Sequence, residues 1–466
     1  MSKLLTINPI TRIEGHGKIS IIRDEKGAIS DVRFCVQEFR GFEKFCQGSL
    51  AESLPSITSR ICGVCPIPHH LASIKAIEDC FGTQITPTSL KLRELLTMGQ
   101  FIESHMLSLA VLSLPDLVSR DSKPEHRNIV GMYQVNKDAV KMALQVRSFG
   151  TAICKILGRS PVHPIGARIG GVVLPLTSEE VNQLADMIAP LKPAVLWFSQ
   201  LMRVLFEKNA DYIETLGDIE TSYLGLSKDG TLSFYDGDIK VIDKNGGLIA
   251  GFKPSAYFDF VEEKIENWSY MKFPVLKTGE RFRVGPLARV NIADAISTPL
   301  AAKELEWFRG CWPRPAHKTL CYHYARFIEL VYAFERAEQL LKDPDITKTD
   351  IFVKPDIKAG TGVGVVEAPR GTLVHRYELD DEGKAVKVDI IVATQHNNYG
   401  YNDALKETAL KLIGEGEPDE STLNKLEMIV RAYDPCLSCA THALGQRQWV
   451  FELLDSSGTT IKEWHR

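Results

Sequence analysis

No apolar run in this sequence is expected to cross a bilayer: the most apolar stretch, Met106 to Val118, is broken by Pro115 and falls short of the ~20 residues a spanning helix needs. Neither sign of charge dominates. The formal net charge of -4 and the pI near 6.3 leave out the basic footprint that nucleic acid or an anionic membrane surface requires. There is no disulfide framework either. Six of the ten cysteines, Cys35, Cys46, Cys80, Cys154, Cys311 and Cys321, follow no regular spacing, which fits a reducing compartment, and a cytoplasmic location is expected. Met1 to Glu14 turns polar early and lacks an apolar centre, so neither a signal peptide nor a membrane anchor is expected. Repeats, low-complexity tracts and disordered linkers are also missing. What remains is an ordinary globular composition, 44% hydrophobic and 24% charged over 466 residues, enough for one extended core or a few merged domains without a covalent staple.

The other four cysteines are organised. Arg60-Ile61-Cys62-Gly63-Val64-Cys65 and Asp434-Pro435-Cys436-Leu437-Ser438-Cys439 each carry a CxxC pair, a spacing that lets both sulfurs face one centre from a tight turn or helix start. Together they make a four-thiol pocket. Soft sulfur donors select nickel, copper(I), zinc or iron-sulfur units over hard cations, and an all-sulfur set can hold a redox metal. Structural zinc is the plainest occupant of two such pairs. Zinc pairs usually staple a small local module, however, and these lie most of a large chain apart, in unlike contexts.

Alternating residues Lys18 to Arg23 and Ile29 to Val36 flank the turn Asp24 to Gly27 and predict a hairpin. Ile67 to Cys80 has helical periodicity ending near Gly82, which puts Cys62 and Cys65 at or just before a helix N-terminus, where the dipole favours thiolates. Long helices are predicted at Ser89 to Leu114, Tyr133 to Leu157 and Ser178 to Leu216, the last entered through a capping box of Thr177 and Glu180 and kinked at Pro190 and Pro193. Short strands follow over Ser227 to Phe260, with a turn at Asn245-Gly246-Gly247. His317 to Leu341 returns to an apolar helix, Gly362 to Thr394 reads as a hairpin around Asp380 to Gly383, and two helices, Ala404 to Ile413 and Thr422 to Ala432, lead to the second pair. The expected class is α+β, predominantly helical, a core bundle of long helices with peripheral β-hairpins.

The residues around the cysteines carry a resemblance. Arg12-Ile13-Glu14-Gly15-His16, Arg40-Gly41-Phe42-Glu43, the RICGVC pair, Glu367-Ala368-Pro369-Arg370-Gly371 and Asp434 to His442, five motifs in order, resemble the large subunit of nickel-iron hydrogenases over essentially the whole chain. Val284 to Arg289 and Arg431 to Cys436 look closest to the cytoplasmic, multisubunit, NAD-linked type. The resemblance implies that family's large-subunit fold and reversible heterolytic cleavage of dihydrogen to protons and electrons. Cys62 and Cys436 would be terminal nickel ligands, and Cys65 and Cys439 would bridge nickel to an iron carrying carbon monoxide and two cyanides. Cys436 would receive the proton and Glu14 would pass it on, a sensible relay because burial can raise a carboxyl pKa toward working pH. Arg370 would stay charged over the metals and donate to a cyanide. Thr394 would bond the other cyanide, although Ala393 stands where the family has proline. His69 would bond a cysteine sulfur and so orient a ligand. Glu43, His442 and the carbonyl near Ile390 would hold a structural magnesium. Each has a plainer reading: a salt-bridged or turn glutamate for Glu14, a hairpin arginine for Arg370, a satisfied core histidine for His69. Ser104 falls where many respiratory-type relatives carry an aspartate.

The same resemblance implies partners: a small subunit with iron-sulfur clusters, because this chain has no further cysteine cluster to carry electrons away, then diaphorase-type flavin subunits delivering to NAD(P), and a maturation chaperone and endopeptidase. It divides the chain into one catalytic domain, residues 1–442, and a C-terminal extension, residues 443–466, removed on maturation. Alternative acceptors are deazaflavin, ferredoxin or a heterodisulfide. Two other classes stay open. A non-catalytic scaffold like the quinone-site subunit of respiratory complex I would lack the nickel cysteines, and a structural zinc protein would show no exchange of deuterium gas with water.

Overall fold

The structure is a computed structural model that describes residues 4–36, 38–120, 122–123, 126–414, 416–441, 450–454 and 460–465. The predicted terminal hairpin is a three-stranded antiparallel sheet, Leu4–Ile7, Gly17–Arg23 and Ile29–Val36, in sequence order. The alternation of Gly17–Arg23 places Ile19 and Ile21 in the core. The long helices run over Pro66–Phe81, Pro87–Leu107, Lys137–Gly158, Ser178–Lys208 and Cys321–Leu341. Cys321–Leu341 is buried along nearly its whole length.

Local chemistry explains where these helices start and stop. Thr177 and Glu180 form the expected capping box at the head of Ser178–Lys208. That helix continues through Pro190 and Pro193, both of which sit on its exposed side, where missing amide hydrogen bonds cost least. The single helix predicted from Tyr133 is two: Ile129–Val135 ends at Asn136, whose side chain accepts from the Ala139 amide and caps Lys137–Gly158. Pro87–Leu107 passes into a π-helical stretch, Ser108–Ser113, and a further turn, Pro115–Val118. Pro87–Val118 as a whole is long and apolar enough to cross a membrane, and 72% of its most apolar window is buried inside the protein, which identifies it as a core helix.

The hairpin predicted over Gly362 to Thr394 is a three-stranded meander: Gly360–Ala368, Gly371–Leu379 and Ala385–Ile391. Its first connection is only Pro369-Arg370, so Arg370 sits at the tip of a tight turn. Thr394, predicted at a strand end, lies in the short helix Ala393–His396, because the Val392 carbonyl accepts from the amides of Gln395 and His396 and curls the chain inward. Near the C-terminus, Val450–Leu454 and Thr460–His465 pair antiparallel.

The core holds several charges. Arg93, Arg283, Arg289, Arg326 and Arg431 are all essentially inaccessible, and such charges are tolerable only when partnered. Arg93 meets Glu78 through both terminal nitrogens at 2.8 and 2.7 Å. Arg289 bridges Glu329, at 2.5 and 2.6 Å, to Glu367, at 2.6 Å.

Candidate metal centre

The helix Pro66–Phe81 begins at Cys65, its N-cap, and the preceding residues form a tight turn in which Cys62 is extended and its Sγ accepts from the Val64 amide at 3.2 Å. At the other end of the chain, Glu420–Tyr433 terminates in Asp434, whose φ of 57° is the left-handed conformation, and Pro435 prevents any continuation. Cys436 is then held by its amide, which donates to Thr394 Oγ1 at 2.9 Å, and Leu437–Cys439 closes as a 3-10 turn. The two pairs meet in the core. Sulfur separations are 3.1 Å for Cys62 to Cys436, 3.2 Å for Cys65 to Cys439, 3.0 Å for Cys436 to Cys439 and 4.0 Å for Cys65 to Cys436. These are too long for disulfides. All four ligand atoms lie within 4.8 Å of one another, and all four residues are buried. Hydrogen bonds from Cys436, Cys439 and Cys65 hold the Cys62 thiol far below its ordinary value, whereas burial pushes Cys436 and Cys439 up.

Arg370 points at this cluster from its turn. Its Nε donates to the Asp434 carbonyl at 2.7 Å, one Nη to Asp434 Oδ1 at 3.2 Å and the other to Ser104 Oγ at 3.4 Å. Burial alone would weaken its charge, yet Asp434 and the thiols Cys436, Cys65 and Cys62 raise it well above the ordinary arginine value. A small cavity between Cys65, Cys436 and Cys439 is walled by Ala368, Leu373, Val392 and Ala393, with His69, Arg370 and Thr394 as its polar residues.

Glu14 reaches the second pair by backbone pairing. It forms a parallel bridge with Cys436, its carbonyl accepts from the Leu437 amide at 3.1 Å, and its Oε2 accepts from the Ser438 amide at 3.1 Å. Gly15 makes this approach possible: a Cβ there would stand 2.8 Å from Leu437 Cβ. His69 is buried and lines the cavity, but its Nδ1 faces His375 Nε2 at 3.2 Å, and His375 leads on to Tyr377 at 2.6 Å. Burial holds the His69 ring at a pKa of about 4, so it is neutral.

Glu43 Oε1 accepts from the Ile390 amide at 2.9 Å, and burial, opposed by Lys272, raises its pKa to about 7. His442 lies outside the described residues. The neighbouring Lys272, Glu263 and Gln395 form one polar group, Lys272 Nζ donating to Glu263 at 2.7 Å and Gln395 to the same carboxylate. Sequence reasoning missed all three, since no motif or regular spacing links them to Glu43. It also gave Arg289 no role. Besides its two carboxylates, Arg289 donates to the carbonyls of Ala368 and Pro369 at 3.0 and 3.1 Å, and so clamps the turn that presents Arg370.

A fold in which both ends of a long chain converge to bury four thiols under a fixed guanidinium defines a class: the metal-holding subunit of a thiolate-ligated redox enzyme. The comparisons name the family. The nickel-dependent hydrogenase family matches residues 40–124 and 204–442, and a HoxL-like family matches residues 4–39. The chain is 39% identical to a subunit of the F420-non-reducing hydrogenase of Methanothermobacter thermautotrophicus, with 98% of this chain and 99% of that one covered. It is 36% identical to NAD-reducing hydrogenase HoxS subunit beta of Cupriavidus necator, with 99% of each covered. The crystal structure of an NAD+-reducing [NiFe]-hydrogenase in the H2-reduced state superposes with a TM-score of 0.91 at 34% identity, covering 94% of this chain and 99% of that one. The Ni-Fe-Se hydrogenase from D. vulgaris Hildenborough superposes with a TM-score of 0.79 at 25% identity, covering 95% and 100%. The chain belongs to the nickel-dependent hydrogenase family and is a hydrogenase catalytic subunit of α+β fold, built around a nickel and iron centre.

Proposed function

We propose that Cys62 and Cys436 hold nickel terminally, that Cys65 and Cys439 bridge it to an iron carrying carbon monoxide and two cyanides, and that Glu14, Arg370 and Thr394 serve this centre. The convergence of the four buried sulfurs within 4.8 Å carries the reading. The donor set fits two soft metals sharing thiolates. When bound, the centre supplies a redox-active acceptor for the electron pair of dihydrogen. The chain's own residues do the rest. Cys436 takes the proton, and Glu14, tied to the same turn through the Ser438 amide, receives it from there. Arg370 keeps a fixed positive charge beside the cavity, and Ala368, Leu373, Val392 and Ala393 keep water away from it. Arg370 and Thr394, the donors on the cavity wall, suit cyanide nitrogens. His69, on the cavity wall, bonds a cysteine sulfur and so orients a ligand. Glu43, His442 and the carbonyl of Ile390 bind magnesium, a role supported by the buried Glu43 beside Ile390.

Electrons leave through iron-sulfur clusters on a small subunit. Exposed Gly63, between the first two cysteines, brings the thiols close beneath the surface where such a partner can dock. Diaphorase-type flavin subunits then reduce NAD(P), a reading supported by the NAD-reducing relative and the 0.91 TM-score to the NAD+-reducing enzyme. The F420-non-reducing relatives support the competing reading, a different acceptor in the same compartment. The enzyme works in the cytoplasm. A chaperone and an endopeptidase mature residues 1–442 by removing residues 443–466, a boundary that coincides with the end of the family match at 442. Purification with native partners tests all of this. Metal analysis should return one nickel and one iron per chain, infrared spectra should show carbon monoxide and cyanide bands, NAD should be reduced faster than deazaflavin or ferredoxin, and mass spectrometry should end the active chain at His442. Zinc in place of nickel, or no deuterium exchange with water, would sink the reading.

A further inference from the structure

Asp116 has no place in the chemistry above, yet it is 3% exposed and both its oxygens are engaged. Arg12 donates to Oδ1 at 2.5 Å and Arg431 to Oδ2 at 2.9 Å. Each guanidinium belongs to one of the two segments that make the proton-transfer pair. Arg12 stands two residues before Glu14, and Arg431 lies in the last turn of the helix that delivers Cys436. Each segment then turns through a left-handed residue with φ of 57°, Arg12 itself and Asp434, before the two run side by side at the Glu14 to Cys436 bridge. Further bonds converge on the same joint: Arg12 to the Leu112 carbonyl at 2.9 Å, Ser113 to the Arg431 carbonyl at 3.4 Å, and Arg431 to the carbonyl and hydroxyl of Thr11 at 3.0 and 2.8 Å. The partners on the Asp116 side, Leu112 and Ser113, lie in the π-helical stretch that precedes it. Burial, with Arg12 adding to it and Asp116 opposing it, lowers the Arg431 pKa to about 10. Glu427 also pairs with Arg431 and accepts from the Thr11 hydroxyl, so Asp116 is the carboxylate that ties Arg431 to Arg12, and without it the two guanidiniums would be left with Glu427 as their counter-charge.

We infer that Asp116 is a positioning residue for proton transfer, fixing the Glu14 segment against the Cys436 turn through its paired bonds to Arg12 and Arg431. The inference rests on the reading of Glu14 as the group that takes the proton from Cys436. Asp116→Asn preserves shape while removing the charge and one acceptor. In the holoenzyme purified with its partners, nickel and iron content, kcat, KM for dihydrogen and the solvent deuterium isotope effect on kcat are measured for Asp116→Asn, Arg12→Gln and Glu14→Gln.

Asp116→Asn should keep both metals and hold KM, while kcat falls roughly 10- to 100-fold, part of the ~10²–10⁴ a well-placed acid or base contributes. Its isotope effect should rise as the lengthened hop becomes limiting. Arg12→Gln should behave alike, and the double variant should be little worse than either single one. A metal-loaded Asp116→Asn with wild-type kcat, or with reduced kcat and an unchanged isotope effect, overturns the inference. If Asp116→Asn fails to load metal, Arg12→Gln, at a side chain still 17% exposed, carries the same two outcomes. Wild-type behaviour of Glu14→Gln overturns the Glu14 reading itself, whereas a slow Glu14→Gln beside a wild-type Asp116→Asn overturns only the positioning role.

Discussion

Arg370 and lysine carry the same charge, but only a guanidinium can meet the Asp434 carbonyl, the Asp434 carboxylate and Ser104 from one fixed plane. Arg370→Lys should therefore keep its metals yet lose activity by roughly 10- to 100-fold, since a buried hydrogen bond to a charged group is worth about 1.5–3 kcal/mol. Deuterium exchange alongside metal analysis checks this, and full exchange activity would contradict it. At Cys65 the expected outcome is harsher, because a serine hydroxyl does not replace a soft sulfur ligand. Cys65→Ser should bind neither metal productively, as elemental analysis would show. The paired cysteines were legible in the sequence by their spacing, whereas Glu14 stood out only through the resemblance of RIEGH to a known family. His375, the partner of His69, was not legible, because 306 residues separate the two rings and nothing but the folded sheet unites them.

The turn between Gly360–Ala368 and Gly371–Leu379 shows how an element transmits such precision. Gly371 has φ of 137°, and a Cβ there would lie 2.4 Å from Val284 Cγ2 and 2.8 Å from the Gly285 amide nitrogen. Gly371→Ala should displace the tip that Arg289 clamps, costing about 1–3 kcal/mol in stability and most of the activity. A urea titration read beside the exchange assay tests both halves, and a fully active, equally stable variant would refute the argument. Helices with strong periodicity and a capping box, such as Ser178–Lys208, could be read directly. The break at Asn136 could not, since an asparagine inside an amphipathic run declares itself a cap only when its side chain has turned to the Ala139 amide. The third strand of the meander was hidden for a similar reason: Ala385–Ile391 shows its pairing with Val374 to Leu379 only through the folded register.

For the molecule as a whole, several histidines are buried uncharged. Burial lowers His396 and His105 to about 4 and His323 to about 3, from 6.5. A depressed histidine means that the unfolded chain binds more protons than the folded one between those values, so stability rises with pH across the window. Acidification should therefore destabilise the protein from about pH 6.5 down to about 4, on the order of 3 kcal/mol per histidine. Urea midpoints at pH 7 and pH 5 should differ accordingly, and equal midpoints would show that these rings are already charged in the fold. The overall class was legible because composition and periodicity report burial. The buried network of Arg289, Glu329 and Glu367 was not, because charged residues read as surface until the fold pairs them.

Cys65 and Cys436 lie 371 residues apart in the chain, though their sulfurs are 4.0 Å apart in space. At a synthesis rate of ~5–20 residues per second, the first pair leaves the ribosome about 20–75 s before the second exists. For that interval Cys62 and Cys65 are a two-armed thiol site with half its ligands missing, open to oxidants and to any soft metal. The timing of translation thus makes closure of the four-sulfur pocket wait for the turn at Cys436, long after the first pair has been made.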